Sequence, residues 1–197
     1  MTNKLLATVA GLLLLATAGH GQSFHYGLKA DLLFTNINGK GMSGSFRPGV
    51  NAGIFTEYSL GKKWGLQPEL LFTLFNNKSE DFLKYYVNSG NSSSNGNINL
   101  GYLSIPLLLQ YKINDVFSVH AGPQYSLLLY SSESLLQNNR DAFAGSDLGV
   151  AAGLTLQVSQ VRFYGRYVMG LSNVNDVDDR YKWNTNQIQL GIGIAIR

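Results

Sequence analysis

The chain has 197 residues, a formal charge of +3, no Cys and only 14% charged side chains. That length suits one domain, and the small, scattered positive charge argues against a nucleic-acid partner. Without Cys there is neither a disulfide staple nor a lipoprotein acylation site.

Residues 1–21 read as a cleaved signal peptide: Lys4 supplies the positive start, Leu5 to Ala16 the apolar core, and Ala18, Gly19 and Gly21 the small residues before cleavage. Cleavage after Gly21 leaves Gln22 first; cleavage after Ala18 is the alternative. An uncleaved anchor fits less well, because the apolar stretch falls short of the roughly 20 residues that span a bilayer. Losing Lys4 takes the charge from +3 to +2. No later apolar run is long enough for a transmembrane helix. The expected organisation is a signal peptide over 1–21 and a single barrel domain over 22–197.

From Phe24 onward the chain alternates, apolar then small, polar or charged, a period of two that marks strands with unlike faces. Eight such stretches follow one another. The first, about 24–34, sets Tyr26, Leu28, Ala30, Leu32 and Phe34 against Lys29 and Asp31. The second, about 49–59, sets Val50, Ala52, Ile54 and Tyr58 against Asn51, Gly53 and Glu57. The third, about 63–75, sets Trp64, Leu66, Pro68, Leu70 and Phe72 against Gln67, Glu69 and Thr73. The fourth and fifth, about 101–112 and 117–130, carry Leu103, Ile105, Leu107, Leu109 and Tyr111, then Val119, Ala121, Pro123 and Tyr125. The sixth, about 147–157, carries Leu148, Val150, Ala152 and Leu154. The seventh, about 161–171, sets Phe163, Tyr167 and Met169 against Arg162, Tyr164 and Arg166. The last, about 187–197, carries Ile188, Leu190, Ile192, Ile194 and Ile196.

The connections alternate too. Ser59–Lys63, Asn114–Asp115 and Ser159–Gln160 are tight turns, while Thr35–Pro48, Asn76–Asn97, Ser131–Gly145 and Ser172–Asn184 are long and polar. Short on one side and long on the other is the pattern of an outer-membrane barrel with periplasmic turns. The expected fold is therefore an all-β, eight-stranded, antiparallel up-and-down transmembrane barrel, with both termini periplasmic and outer-membrane lipid around it.

The same alternation could belong to a soluble, lipocalin-like barrel with its apolar face inward. Against that, the polar phase is rich in Gly, Ala and Ser, a poor solvated exterior, and the apolar phase is almost free of charge. Tyr58, Trp64, Tyr111, Phe117 and Phe163 share the apolar phase and sit beside the short turns, as a periplasmic-side aromatic girdle would. Phe34, Phe72, Tyr125 and Tyr167 are candidates for the opposite girdle. Pro68, Pro106 and Pro123 fall inside strands, where each removes a ladder hydrogen bond. Bulges, or strand ends that overrun their partners, are expected there.

Several stretches resemble the outer-membrane β-barrel family of Bacteroidetes-type bacteria often labelled PorT-like. They are Gly27 with Lys29-Ala30, Arg47-Pro48-Gly49-Val50-Asn51-Ala52-Gly53, Gly65-Leu66-Gln67-Pro68-Glu69-Leu70, Tyr102-Leu103-Ser104-Ile105-Pro106-Leu107 and Gly122-Pro123. The resemblance covers essentially the whole mature chain and implies an eight-stranded outer-membrane barrel in which strand prolines are usual. The chain departs from it by ending Ile196-Arg197, where such barrels often finish with an aromatic residue. The family name implies a part in secretion, which most relatives do not share as an assigned task.

The inward phase carries Lys29, Asp31, Glu57, Glu69, Lys112, Asp147, Arg162, Arg166 and Arg197. An eight-stranded barrel is only wide enough for side chains to fill it, and a lone buried charge costs several kcal/mol. Lys29, Asp31, Glu57, Glu69, Arg162 and Arg166 are therefore expected to form an ion-pair plug, with Glu69 meeting Arg166 or Lys29 near mid-height. A conduction path or proton relay is the functional alternative.

Catalysis is not expected. His25 and His120 are the histidines left after signal cleavage, His120 beside Ser118 near a short turn, and no G-x-S-x-G elbow or nucleophile–base–orienter trio is visible. Two histidines do not make a metal site by spacing. The run Asn175-Asp176-Val177-Asp178-Asp179 lacks the central Gly and closing Glu of a calcium loop. No cofactor, metal or small-molecule substrate is indicated. The expected function is that of a non-enzymatic, filled outer-membrane barrel with long extracellular loops. A subunit of an envelope secretion or transport machine, with protein partners, comes second, a lipid-modifying enzyme third and a soluble ligand binder fourth.

Overall fold

The computed structural model describes residues 24–38, 44–78, 97–131, 145–172 and 184–196. Eight antiparallel strands run in order: β1 (Phe24–Asn38), β2 (Arg47–Ser59), β3 (Trp64–Lys78), β4 (Asn97–Lys112), β5 (Phe117–Ser131), β6 (Ser146–Val158), β7 (Val161–Gly170) and β8 (Asn184–Ala195). Each pairs with its neighbours in sequence, and β8 returns to β1 to close the barrel. Closure leaves no unpaired edge. The segment read as a signal peptide, residues 1–21, lies outside the described residues, as do most of the long connections and Arg197.

The phase of each strand is the expected one, but most strands run longer at the end away from the tight turns. β1 continues to Asn38, β3 to Lys78, and β4 and β8 begin at Asn97 and Asn184. The polar residues there, read from sequence as loop, extend the barrel wall. At the other end the turns are short. The Asn114 side-chain carbonyl accepts the N–H groups of Val116 at 2.9 Å and Phe117 at 2.7 Å, a local side-chain turn that reverses β4 into β5.

The two faces are opposite in character. Leu28, Leu32, Ile54, Leu154, Leu190 and Ile194 are all at least half exposed. Lys29, Asp31, Glu69, Arg162 and Arg166 are buried. Apolar side chains thus line the outside and charged ones the axis, the inverse of a soluble barrel. Short and long connections segregate to opposite ends, and the described chain begins and ends beside the short ones, where Gly27 faces Ala195.

The prolines do not produce bulges, contrary to expectation. The register between β2 and β3 is the same on either side of Pro68, between β3 and β4 on either side of Pro106, and between β4 and β5 on either side of Pro123. Only the ladder pairs Thr56/Pro68, Glu69/Pro106 and Leu107/Pro123, with one neighbour each, are missing. In an antiparallel sheet a residue directs its N–H to one neighbour only, so each proline costs one bond toward the preceding strand and leaves the other side paired. A one-residue slip would turn every following side chain to the wrong face, and the register holds. The bulge lies elsewhere: between Gly101 and Tyr102 the partner strand carries the extra residue Leu129.

Leu70 faces outward halfway along β3, beside the inward Glu69. Leu70→Arg is expected to lower the unfolding free energy in lipid vesicles by roughly 2–4 kcal/mol, the cost of a cation at the bilayer midplane. Urea titration of the refolded barrel measures it, and a change near zero is what a water-facing surface would give.

Candidate functional site

Eight strands enclose a lumen that side chains can bridge. The most connected group in it is the Glu69 carboxylate on β3. Its Oε1 accepts from Lys29 Nζ on β1 at 2.8 Å and from Gln67 Nε2 at 2.7 Å, and its Oε2 accepts from Arg166 Nη1 on β7 at 2.9 Å. Strands β3 and β7 stand on opposite walls of an eight-strand circuit, so the Glu69–Arg166 contact crosses the axis. Arg166 Nε also donates to Gln189 Oε1 on β8, and Gln189 donates in turn to Gln187. The sequence left open whether Glu69 meets Arg166 or Lys29; it meets both.

Asp31 on β1 accepts from Asn51 Nδ2 at 2.9 Å and from the Tyr164 hydroxyl of β7. The Lys29 ammonium lies 3.8 Å from the centre of the Tyr164 ring, a cation–π contact that ties the Glu69 cluster to the tyrosine bound to Asp31. Nearer the short turns, Arg162 Nη2 donates to Glu57 Oε2 at 2.6 Å, and the guanidinium lies 5.3 Å from the Phe55 ring centre. All six residues expected in the lumen lie there, but not as one ion-pair network: Lys29 and Arg166 share Glu69, Arg162 pairs separately with Glu57, and Asp31 is held by Asn51 and Tyr164 instead of a cation.

Glycine makes these reaches possible. On β8, Gly191 lies between Asp31 and Tyr164, and Gly193 between Lys29 and Arg162. A Cβ on Gly191 would stand 2.6 Å from the Tyr164 hydroxyl. The missing side chain is the gap through which β7 reaches β1.

Above this layer the lumen changes character. The Thr73, Ser104 and Ser126 hydroxyls form a chain at 3.1 and 3.0 Å. Leu33, Ile37, Leu71 and Leu100 are buried among them, and Phe75 stacks on Tyr102 with ring centres 5.7 Å apart. Sequence reasoning missed this apolar half. It also left unassigned Asn51, Gln67, Tyr164 and Gln189, although their inward phase was readable.

His120 does not pair with Ser118. Its Nδ1 lies 3.1 Å from Thr155 Oγ1, while Ser118 accepts from Gln110. The space beside His120, Glu69 and Lys29 is about 10 Å³, room for about one water and no substrate. Among the described residues no His, Cys, Asp and Glu cluster could hold a metal; the run Asn175 to Asp179 lies outside them.

The five aromatics beside the short turns face outward, Tyr58 and Tyr111 half-buried, Trp64, Phe117 and Phe163 exposed. Trp64 and Tyr111 pack edge to face at 4.9 Å, and Phe24 packs on Tyr58 at 5.0 Å. Phe34, Phe72, Tyr125 and Tyr167 are exposed nearer the other end.

Residues 20–176 match the outer membrane protein beta-barrel domain family. The chain belongs to that family, which is one of the bacterial outer membrane. Among solved structures it is similar to Ail, the attachment invasion locus protein of Yersinia pestis, crystallised with the heparin analogue sucrose octasulfate. That likeness has 16% identity and a TM-score of 0.55, over 88% of this chain and 99% of that one. It is similar to Neisserial surface protein A at 17% identity and a TM-score of 0.55, over 89% and 99%. At these identities the likeness is one of fold. No individually curated protein matches the chain.

Glu69→Gln is expected to destabilise the folded barrel by roughly 3–5 kcal/mol, because Lys29 and Arg166 then share a neutral partner in a buried site. Heat-dependent gel mobility reads this as an earlier loss of the compact band, and an unchanged profile contradicts a structural role. Gly191→Val is expected to act in the same direction by overpacking, at about 1–3 kcal/mol.

Proposed function

We propose that this member of the family is a non-enzymatic outer-membrane barrel whose lumen is sealed, and which serves as an anchor for its long connections. The observation that carries this reading is the Glu69–Arg166 contact from opposite walls, reinforced by Lys29. A lumen crossed by a fully buried ion pair, with packed leucines and a Phe–Tyr stack beyond it, offers no continuous water path. In this reading residues 1–21 are removed as a signal peptide and 22–197 form the mature domain. Both termini and the short turns face the periplasm, the girdle of Tyr58, Trp64, Tyr111, Phe117 and Phe163 marks that boundary of the bilayer, and the long connections face outward. The space of about 10 Å³ beside His120, too small for a substrate, supports the non-enzymatic reading.

The PorT-like resemblance of the strand-two-to-five segments supports a second reading, a subunit of an envelope secretion or transport machine. Affinity purification from detergent-solubilised membranes tests it, since a machine subunit brings stoichiometric envelope proteins with it.

For the sealed barrel, the test is conductance in planar bilayers. The wild-type protein is expected to add no channel steps above the bare membrane. Stable steps with the Glu69–Arg166 pair intact would make the barrel a conduit.

A further inference from the structure

At the short-turn mouth the lumen opens into a cavity of about 280 Å³, lined by His25, Glu57, Lys112, Gln157, Gln160 and Arg162 among others. Its electrostatics differ from those of the layer above. In the body of the lumen Lys29, Arg162 and Arg166 face Asp31, Glu57 and Glu69, while the fourth buried carboxylate, Asp147, accepts from Thr185 at the far end. Lys112 is left over, with no ion-pair partner among the described residues. The turns that frame the rim add Lys62 and Lys63 against Asp115.

The hydrogen-bond inventory is equally specific. Arg162 is only 5% exposed, yet its Nε and Nη1 have no partner among the described residues, because Glu57 takes Nη2 alone. Glu57 Oε1 likewise has none, and like the two Arg162 nitrogens it is covered, so a ligand in the cavity these side chains line reaches all three atoms only as the side chains turn toward it. The mouth therefore offers cationic donors from Arg162 and Lys112, side-chain amides from Gln157 and Gln160, and one carboxylate acceptor. A fully deprotonated anion suits the donors and collides with Glu57. An oxyanion that keeps a proton suits both, accepting from the cations and donating one O–H.

We propose that this mouth binds hydrogen phosphate, with Arg162 and Lys112 on its oxygens and Glu57 Oε1 receiving its hydroxyl. Sulfate has the same shape and no proton at neutral pH, which makes it the discriminating control. The phosphate can arrive as the free ion or as a monoester lipid headgroup reaching in from the rim.

The test is an NMR titration of the full barrel in neutral detergent and phosphate-free buffer, read at the side-chain N–H signals of Gln157, Gln160 and Arg162. Inorganic phosphate is expected to give saturable shifts confined to the mouth, and sulfate to bind at least about fivefold more weakly. Lys112→Gln is expected to weaken phosphate about tenfold with an unchanged unfolding temperature. If that variant does not fold, Gln160→Glu, which places a carboxylate in the exposed turn, weakens phosphate in its stead. Shifts that do not saturate, equal sulfate affinity, or a folded variant that binds as the wild type does overturns the proposal. Bilayer discs separate the two sources. With phosphatidic acid present, a headgroup site shows the mouth shifts before any phosphate is added. A free-ion site responds alike in discs with and without that lipid.

Discussion

A carboxylate withdrawn from water stays ionised only where cations and donors replace its hydration. Closing eight strands into a barrel imposes that condition on every charged side chain of the inner face, because the interior has no room for bulk solvent. Glu69 meets it with two cations and an amide from three strands. Through Arg166 and Gln189 the same network reaches β8, and through Lys29 and Tyr164 it reaches Asp31 and Asn51. The outward apolar phase needs no such arrangement, since lipid asks only that no charge be present. The inner face is thus specified pair by pair, the outer face only by composition.

Size matters as much as charge. Long side chains on β1 and β7 can meet only because the intervening β8 presents glycine at 191 and 193. The wall also tolerates prolines in four consecutive strands, at the start of β2 and within β3, β4 and β5, and the three interior ones interrupt the ladder. Each removes one bond while the alternation of faces, which a register slip would destroy, holds the pairing on both sides.

Much of this was legible in the chain. Period-two patterning gave the number and phase of the strands, and the alternation of tight and long connections gave the up-and-down order. The inward charges were identifiable by phase alone. Their partners were not, because which residue of β7 faces Glu69 depends on stagger between strands that are not neighbours. The apolar upper lumen was hidden for a different reason. In Leu32-Leu33-Phe34, Leu70-Leu71-Phe72 and Leu107-Leu108-Leu109 both faces are apolar, so the local pattern loses its period. Leu33, Leu71 and Leu108 are the inward members, buried to 0% exposure. Extending the phase from flanking Asp31, Thr73 and Gln110 would have found them. The proline expectation failed because it treated a lost hydrogen bond as a lost register.

The two ion pairs that Arg166 and Arg162 make across the lumen join residues 97 and 105 positions apart in the chain. Such remote contacts are slow to form, since most of the polymer must be in place before they can close. A half-built sheet of β1 to β6 would carry Glu57 and Glu69 without Arg162 and Arg166, both of which arrive on the penultimate strand. Neutralising the interior and sealing the wall are therefore nearly one event. A chain truncated before β7 lacks the countercharge as well as the seam.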